Sequence, residues 1–349
     1  MRTRLMLLLV GIAVSALVFS HGHAQTQPSQ AAHRFQPIAP GVYSAIATGT
    51  LNVGSNSCVV VNQDDVLIVD SHISPESARV LIRELKSITD KPVRFLVNTH
   101  FHFDHANGNQ VFTAPVDIIG HEFTRRKLLG DVLAKGTIFA ESLAALPNQI
   151  EQLKQRAAAE QDAAAKARLD QQVRVQQAYA DQVKEVKPTP PSVTLNDHMT
   201  LFRGDREIRL IHLGRAHTAG DVVVFLPKER VVCTGDMLVA GISNLSDGYV
   251  NEWPDTVEKL RALDFTDVIP GHGEPWKGKE KLDHWQAYLR DIWQQASKLH
   301  DQKVPAAEAA KRIDMTAHKN HYPTITAPGV APIGVVRMYD VMERRAEQN

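Results

Sequence analysis

The chain has 349 residues, which is enough for one large domain or two small ones. Its 39 basic side chains balance 39 acidic ones, so the formal net charge is zero. This balance and the ordinary globular composition argue against a nucleic-acid or polyanion partner.

The N-terminus has the pattern of a secretory signal. Arg2 and Arg4 precede an apolar run at residues 5–19, and small residues follow at Gly22 and Ala24. We therefore predict a signal peptide at residues 1–24, cleaved after Ala24, and a flexible leader at residues 25–33. The run is short for a membrane anchor, and no cysteine stands close behind it that could carry a lipid. We expect a periplasmic or secreted protein without a stable membrane anchor, and residues 25–349 as one domain.

A strand, a helix and a strand are predicted in the first part of this domain. Strands at residues 42–48 and 58–62 flank a turn at 49–57, and an apolar strand at 66–69 ends at Asp70. The helix at 77–88 follows Ser74 and Pro75, which are a cap residue and a first-turn residue. It leads to an apolar strand at 93–97. This order predicts an α/β layer arrangement.

Four side chains that can bind a metal follow that strand within six residues: His100, His102, Asp104 and His105. Side chains alternate along an extended backbone, so His100 and His102 point the same way. Asp104 and His105 can turn towards a second point nearby. Imidazole and carboxylate are the ligands that zinc takes when no thiolate is offered. The spacing therefore predicts one segment that serves two metal ions, and the alternative is a polar loop with chance histidines.

A helical insertion is predicted at residues 141–187, after a strand at 116–119 and a helix at 121–129 in which His121 is a cap or surface residue. The insertion is rich in Ala, Gln and charged residues, with Leu146 and Ile150 on one helical stripe. We predict a hairpin that turns near Asp162, with one long helix as the alternative. It can be a lid over the site, a surface for homo-oligomerisation or a solvated decoration.

The second half repeats the pattern of polar residues at strand ends. A strand at 207–213 leads to His217 and Asp221, a hairpin at 222–233 to Asp236, and a strand at 267–269 to His272. Helices are predicted at 279–299, 306–313 and 335–347. Cys58 and Cys233 lie in apolar runs; we interpret them as buried thiols, although an oxidising compartment permits a disulfide.

These motifs, in this order, resemble the metallo-β-lactamase superfamily over residues 42–275, apart from the insertion. The resemblance implies an αββα sandwich of two mixed β-sheets flanked by helices. It also implies that His100, His102 and His217 hold one metal. Asp104, His105 and His272 would hold the other, with Asp236 between the two. Two Zn²⁺ ions fit this set, and iron or manganese is possible.

The same resemblance supplies supporting roles. It implies that Asp70 supports the segment at residues 100–105, here called the metal loop, and that Asp221 is structural. A hairpin at 49–57 would flap over the site with Leu51 and Val53 at its tip, unless it is a plain surface hairpin.

The implied reaction is hydrolysis of a small molecule by a metal-bridging hydroxide, which Asp104 orients and whose proton it then passes on. In the segment 243–248, Asn244 resembles an oxyanion-binding residue of zinc β-lactamases, although it can also be a turn residue. However, Asp236 stands where the largest β-lactamase subclass has cysteine, Val239 where it has lysine, and His105 where it has arginine.

The pairing of His105 with Asp236 resembles glyoxalase II and related lactonases instead. We therefore expect a secreted dinuclear zinc hydrolase that cleaves a β-lactam, a lactone or a thioester, with β-lactam ranked slightly first. The alternatives are a mononuclear iron persulfide dioxygenase of the same fold and a non-catalytic binding protein.

Overall fold

Seven strands form the first sheet of the protein, whose computed structural model describes residues 31–130 and 132–345. They are β1 (His33–Ala39), β2 (Val42–Ala47), β3 (Ser57–Val61), β4 (Val66–Val69), β5 (Val93–Val97), β6 (Asp117–His121) and β7 (Val193–Leu195), in that spatial order. Strands β1 to β4 pair antiparallel and β4 to β7 pair parallel, so the sheet is mixed. The parallel half carries the first metal-binding segment after β5.

Six strands form the second sheet, in the order β13-β12-β11-β10-β9-β8. They are β8 (His198–Arg203), β9 (Arg206–Ile211), β10 (Val223–Leu226), β11 (Val231–Gly235), β12 (Asp267–Pro270) and β13 (Trp276–Lys277). Only the β11–β12 pair among these is parallel, so both strands deliver their C-terminal loops to one edge. Asp236 and His272 follow these two strands.

Nine α-helices occur in the described chain. They are α1 (Pro75–Leu85), α2 (Phe103–Ala106), α3 (Glu122–Leu129), α4 (Ile138–Ala159), α5 (Ala163–Gln182), α6 (Trp253–Arg261), α7 (Glu280–Asp301), α8 (Ala306–Arg312) and α9 (Pro332–Met342). Among these helices, none has the length and apolar character needed to cross a bilayer. The predicted signal peptide lies outside the described residues.

Three apolar layers hold these elements together. Side chains from both sheets, such as Leu67 and Leu210, are fully buried between the sheets. Helix α1 covers the outer face of the first sheet through Leu81. Helices α6 to α9 cover the outer face of the second, where Trp253 and Leu289 are fully buried. The predicted αββα sandwich of two mixed sheets is therefore confirmed.

The predicted leader ends earlier than expected. We predicted flexible chain through His33, but β1 begins there and the His33 side chain is buried. Its backbone N–H and its imidazole both bond the carboxylate of Glu84 on α1, at 3.0 and 2.8 Å. This partner lies 51 residues away, which is why local sequence gave no sign of the strand. Strands β7, β8 and β13 and helix α6 were not predicted either.

The helical insertion is a hairpin, as predicted. Helix α4 begins three residues before residue 141 because Thr137 caps it, accepting a hydrogen bond from Ala140 N. Asp162 caps α5 in the same way through Ala165 N at 2.7 Å. The inner turns of both helices pack on the domain: Ile73, Leu146, Ile150 and Tyr179 form one buried cluster. The insertion is therefore part of the folded core.

Cys58 and Cys233 are free and buried between the two sheets, which confirms their interpretation as small apolar residues. Burial, together with a hydrogen bond to Cys58, raises the pKa of the Cys233 thiol well above its usual range. The two thiols are therefore neighbours, in β3 and β11.

Candidate metal centre

The loop after β5 is fixed by the end of β4. Asp70 adopts a positive φ of 65°, which turns its carboxylate towards the loop. This carboxylate accepts hydrogen bonds from the backbone N–H and the hydroxyl of Thr99, both at 2.8 Å. Helix α2 then begins directly after His102. The predicted cluster therefore sits on a short, rigid segment between a strand and a helix.

A first group of ligand atoms comes from His100, His102 and His217, whose candidate atoms all lie within 4.8 Å of one another. His217 Nε2 is 2.9 Å from His102 Nδ1. Burial lowers the pKa of His100 well below its usual range and lowers that of His217 to about 3. Both imidazoles are therefore neutral, which is the form that binds a metal.

A second group comes from Asp104, His105 and His272. His272 Nε2 lies 3.2 Å from an oxygen of Asp104, and His105 Nε2 lies 3.6 Å from the same oxygen. Burial lowers the pKa of His272, but the carboxylates of Asp236 and Asp104 outweigh it and raise this pKa to about 10. Protons on such histidines would leave when a divalent cation enters.

Asp236 faces both groups. One of its oxygens lies 3.3 Å from His105 Nε2, and the other lies 3.2 Å from His272 Nε2 and 3.7 Å from His217 Nε2. The backbone of Gly271 makes this position possible, because a Cβ there would lie 2.0 Å from Asp236 Oδ1. The carboxylate is therefore suited to bridge two cations.

Unsatisfied polar atoms test whether metal ions fit here. Buried polar atoms are almost always hydrogen-bonded. Yet His100 Nε2, His105 Nε2 and Asp236 Oδ1 are buried and make no hydrogen bond of normal geometry with another described residue; the last two atoms face each other at 3.3 Å. These three residues also form a group whose ligand atoms lie within 4.8 Å of one another. Nitrogen and carboxylate oxygen donors that converge in this way fit divalent metal ions such as Zn²⁺.

Two carboxylates orient the histidines from behind. His105 Nδ1 donates to Asp70 at 2.7 Å, as expected for a residue that supports the metal loop. The N-cap of α1 is Ser74, so Asp70 does not cap this helix. His102 Nε2 donates to Asp247 at 2.8 Å. Sequence reasoning missed Asp247, whose one signal was its place in the segment 243–248. Such partners fix the tautomer and leave the other ring nitrogen free for a metal.

Asn244 is exposed and lines the cavity at the metal centre. Its side-chain oxygen accepts hydrogen bonds from the backbone N–H of Ser246 at 2.8 Å and from the Ser246 hydroxyl at 2.6 Å. Asn244 is therefore a turn residue, and its amide NH₂ group is the part of the side chain that could still bind a substrate oxygen.

Three further polar residues have structural contacts. Asp221 accepts hydrogen bonds from the N–H and hydroxyl of Thr218, and burial raises its pKa to about 7. His212 lies 2.9 Å from the backbone oxygen of Asp221. His121 caps α3 by accepting a hydrogen bond from Phe123 N, as predicted.

The loop at 49–57 packs under the site. Val53 is buried, so it is not the tip of an exposed flap, and Leu51 is half-buried. The Ser55 hydroxyl donates to the backbone oxygen of Asp104 at 2.8 Å. Asn56 Nδ2 donates to the backbone oxygen of Gly273 at 2.7 Å. The loop therefore ties together the two segments that carry Asp104 and His272.

Two cavities open at the centre. One, of about 640 Å³, is lined by five of the candidate ligands: His102, Asp104, His217, Asp236 and His272. The other, of about 1220 Å³, lies beside it and shares His102 and Phe103 with it. The metal centre is therefore accessible to a small molecule.

Comparisons with known proteins agree with this geometry. A family model described as the metallo-beta-lactamase superfamily matches residues 51–272. The chain is 23% identical to a linear primary-alkylsulfatase from Pseudomonas sp. (strain ATCC 19151), over 69% of this chain and 45% of that protein. It is 30% identical to the metallo-beta-lactamase type 2 of Bacteroides fragilis, over 35% of this chain and 53% of that protein. The chain thus spans about half the length of these two curated relatives.

Solved structures show the same fold. A metallo-beta-lactamase from Pontibacter korlensis matches with a TM-score of 0.51 and 19% identity, over 74% of this chain and 99% of that one. The metallo-beta-lactamase FIM-1 from Pseudomonas aeruginosa, in its mono-zinc form, matches with a TM-score of 0.51 and 19% identity. That match covers 75% of this chain and 96% of the other.

Proposed function

The chain belongs to the metallo-beta-lactamase superfamily, and from this premise we propose that it is a metal-dependent hydrolase, namely an exported dinuclear zinc enzyme that cleaves an activated acyl bond. One observation carries the proposal. Three buried ligand atoms on His100, His105 and Asp236, which make no hydrogen bond of normal geometry within the described chain, lie within 4.8 Å of one another. Such atoms are costly unless a cation satisfies them.

His100, His102 and His217 would hold one Zn²⁺, and Asp104, His105 and His272 the other, with Asp236 between them. The donor set of nitrogen and oxygen also admits iron or manganese. Bound zinc would acidify a water molecule and polarise the attacked carbonyl. Asp70 and Asp247 keep His105 and His102 in the tautomers that leave a ring nitrogen available.

Asp104 is the candidate proton acceptor. Its side chain lines the metal cavity and is partly exposed. Burial raises its pKa, but His105 and His272 outweigh this and lower the pKa below its usual range. The group is therefore an ionised carboxylate at neutral pH, able to orient the attacking water and take its proton. Asn244, at the rim of the same cavity, would donate a hydrogen bond from its amide to the substrate oxygen.

The substrate class stays within β-lactams, lactones and thioesters, and β-lactam is ranked first for the Asn244 segment. Val239 lines the metal cavity where the largest β-lactamase subclass has a lysine, so one contact to the β-lactam carboxylate is absent. Outside these acyl compounds, the name of the alkylsulfatase relative makes a sulfate ester a second candidate substrate.

A substrate panel and a metal analysis test the proposal together. We expect the purified protein to contain two zinc ions per chain and to hydrolyse nitrocefin, a homoserine lactone or S-lactoylglutathione. Removing metal with a chelator should abolish turnover, and adding zinc should restore it. One iron per chain with no zinc, and oxidation of a persulfide, would support the dioxygenase alternative and overturn the choice of zinc.

We also propose that the mature protein begins at Gln25 in the periplasm or outside the cell, and that its partner is a small-molecule substrate rather than nucleic acid. N-terminal sequencing of the exported protein tests the cleavage site. Light scattering tests whether the helical insertion supports a homo-oligomer, which would appear as twice the chain mass of 38.7 kDa, less the signal peptide.

A further inference from the structure

The larger cavity beside the metal centre, of about 1220 Å³, has no role in the chemistry described above. It is continuous with the metal cavity, because both are lined by His102, Phe103, Ile138, Glu141, Ser246 and Ile333. Its walls come from α3, the start of α4 and α9. Helix α9 lies beyond the residues that match the family model. This cavity is therefore built partly from chain that the family core does not supply.

The cavity has an apolar interior and an apolar rim. Its lining includes Phe101, Phe103, Phe123, Leu128, Val132, Phe139, Ile333 and Val336. Of the five large apolar side chains that are exposed in the described chain, Ile333 and Val336 line the cavity. Leu129 and Leu133 are sequence neighbours of the lining residues Leu128 and Val132. Apolar surface that clusters in this way marks a ligand-binding site.

Basic side chains surround this apolar surface. Five cations line the cavity, Arg126, Lys127, Lys135, Arg215 and Arg337, against three acidic residues, Glu141, Asp247 and Asp340. Two of those acids are paired, Asp247 with His102 and Asp340 with Arg345, and two of the cations are also paired, Arg126 with Glu122 and Arg215 with Glu252. This local excess of positive charge stands out in a chain whose net charge is zero.

Two of the cations share one aromatic ring. The guanidinium carbons of Arg215 and Arg337 lie 4.2 and 4.6 Å from the ring centroid of Tyr249. Arg337 also donates to the backbone oxygens of Gly248 and Asp247, both at 3.2 Å. These contacts hold two guanidinium groups, of which that of Arg215 is paired with Glu252, next to the segment that orients His102. With Lys135, they give this wall of the cavity more cations than anions, which favours an anionic group.

We propose that this cavity binds the non-reacting part of the substrate, and that this part is an apolar chain carrying a negative charge. The substrate class is thus an anionic amphiphile whose reacting bond lies at the metal centre. This inference rests on the proposed function for the position of the reacting bond. A compact neutral substrate would leave the apolar wall in water, and a cationic one would meet like charges.

Non-hydrolysable alkanesulfonates test the inference on the zinc-loaded protein. Butane-, hexane-, octane- and decanesulfonate are titrated below their micelle concentrations by calorimetry, with alkyltrimethylammonium ions of equal length as the opposite-charge series. We expect affinity to rise roughly two- to fourfold per added methylene. The anionic series should bind at least about tenfold more tightly than the cationic one. Equal binding of the two series, or no dependence on length, would overturn the proposal.

Calorimetry does not depend on turnover, so the two proposals fail separately. If alkanesulfonate affinity rises with chain length but no panel substrate is hydrolysed, the ligand class of the cavity is retained and the proposed function is overturned. If a panel substrate is hydrolysed but alkanesulfonate affinity does not change with chain length, only the cavity proposal is overturned.

Matched variants locate the binding. Val336→Asp places a charge on the apolar wall, at a position 44% exposed, and should weaken decanesulfonate binding about tenfold. Phe202→Asp is the control, because Phe202 is 70% exposed on β8, away from the cavity lining. Lys135→Glu should weaken the anionic series several-fold, whereas Lys154→Glu on α4 should not. Equal losses in a variant and its control would contradict the assignment to this cavity.

Discussion

The Nδ1 atom of His105 lies 2.7 Å from a carboxylate oxygen of Asp70, and this contact joins the end of β4 to the loop after β5. Both side chains are buried. The same carboxylate accepts two hydrogen bonds from Thr99. The proton on Nδ1 therefore points at Asp70, and Nε2 faces Asp104 and Asp236, where a metal ion would take its lone pair.

Replacing Asp70 with asparagine should weaken zinc binding about 10- to 100-fold, because the charge behind His105 is lost while the volume is kept. Asparagine tolerates the positive φ of this position, so the backbone should not change. Competition with a chromophoric chelator measures the affinity. Asp64→Asn, on an exposed residue before β4, is the control. An affinity equal to that of the unmodified protein would show that Asp70 does not support the site.

Asp247→Asn should lower the affinity for the metal held by His102 about tenfold, since His102 Nε2 donates to this carboxylate at 2.8 Å. Arg337→Gln should have the same effect to a smaller degree, because Arg337 holds only the backbone of this segment. Metal affinities measured on the two variants separate these roles. A loss in Arg337→Gln larger than that in Asp247→Asn would contradict this order.

Metal stoichiometry should follow the two groups of ligands. His217→Ala removes a ligand of one group and His272→Ala a ligand of the other, so each variant should retain about one ion. Asp236→Ala should lower occupancy at both positions, because its two oxygens face His105 and His217. Mass spectrometry of native-purified protein counts the ions. Two ions retained in His272→Ala would remove His272 from the metal centre.

Leu146→Ala should destabilise the protein by about 2–5 kcal/mol, the usual cost of a buried leucine. Leu146 is 6% exposed in the cluster that joins the helical insertion to Ile73, and Phe103 of the metal loop packs against this cluster. Urea unfolding measures the loss. Glu151→Ala, on an exposed residue of the same helix, is the control. A loss below about 0.5 kcal/mol would make the insertion a solvated decoration.

The stability of the metal-free protein should fall as pH drops from 6.5 towards 4, in part through His121. Burial and the neighbouring His212 lower the pKa of His121 from 6.5 to about 4. Between these values the unfolded chain binds a proton that the folded protein does not, so acid favours unfolding. His121→Asn keeps a residue that can cap α3 but removes this titration.

The measurement is the slope of the free energy of unfolding against pH, taken in the presence of a chelator. The slope between pH 6.5 and 4 should be smaller in His121→Asn than in the unmodified protein. An unchanged slope would mean that His121 titrates normally in the folded state.

Local patterns predicted the parts of the fold that depend on local sequence. Strands β4 and β5 have the predicted bounds, because each is a short, mainly apolar run that ends at a polar residue, Asp70 or Asn98. The insertion was predicted as a hairpin from its helical stripe and composition. By contrast, β1 was missed because His33 is buried by residues that are distant in sequence, Glu84 on α1 and His72.

The sequence by itself determined the chemistry of the centre: nitrogen and oxygen donors, placed where strands end, in an order that resembles one family. Tertiary structure alone decided how these donors are supported and what lies beside them. Asp247 reaches His102 across 145 residues, and α9 completes an apolar, basic cavity with α3. The reason is physical. Ligand spacing and strand boundaries are set by neighbours along the chain, whereas a buried carboxylate partner or a cavity wall exists only once distant segments have packed together.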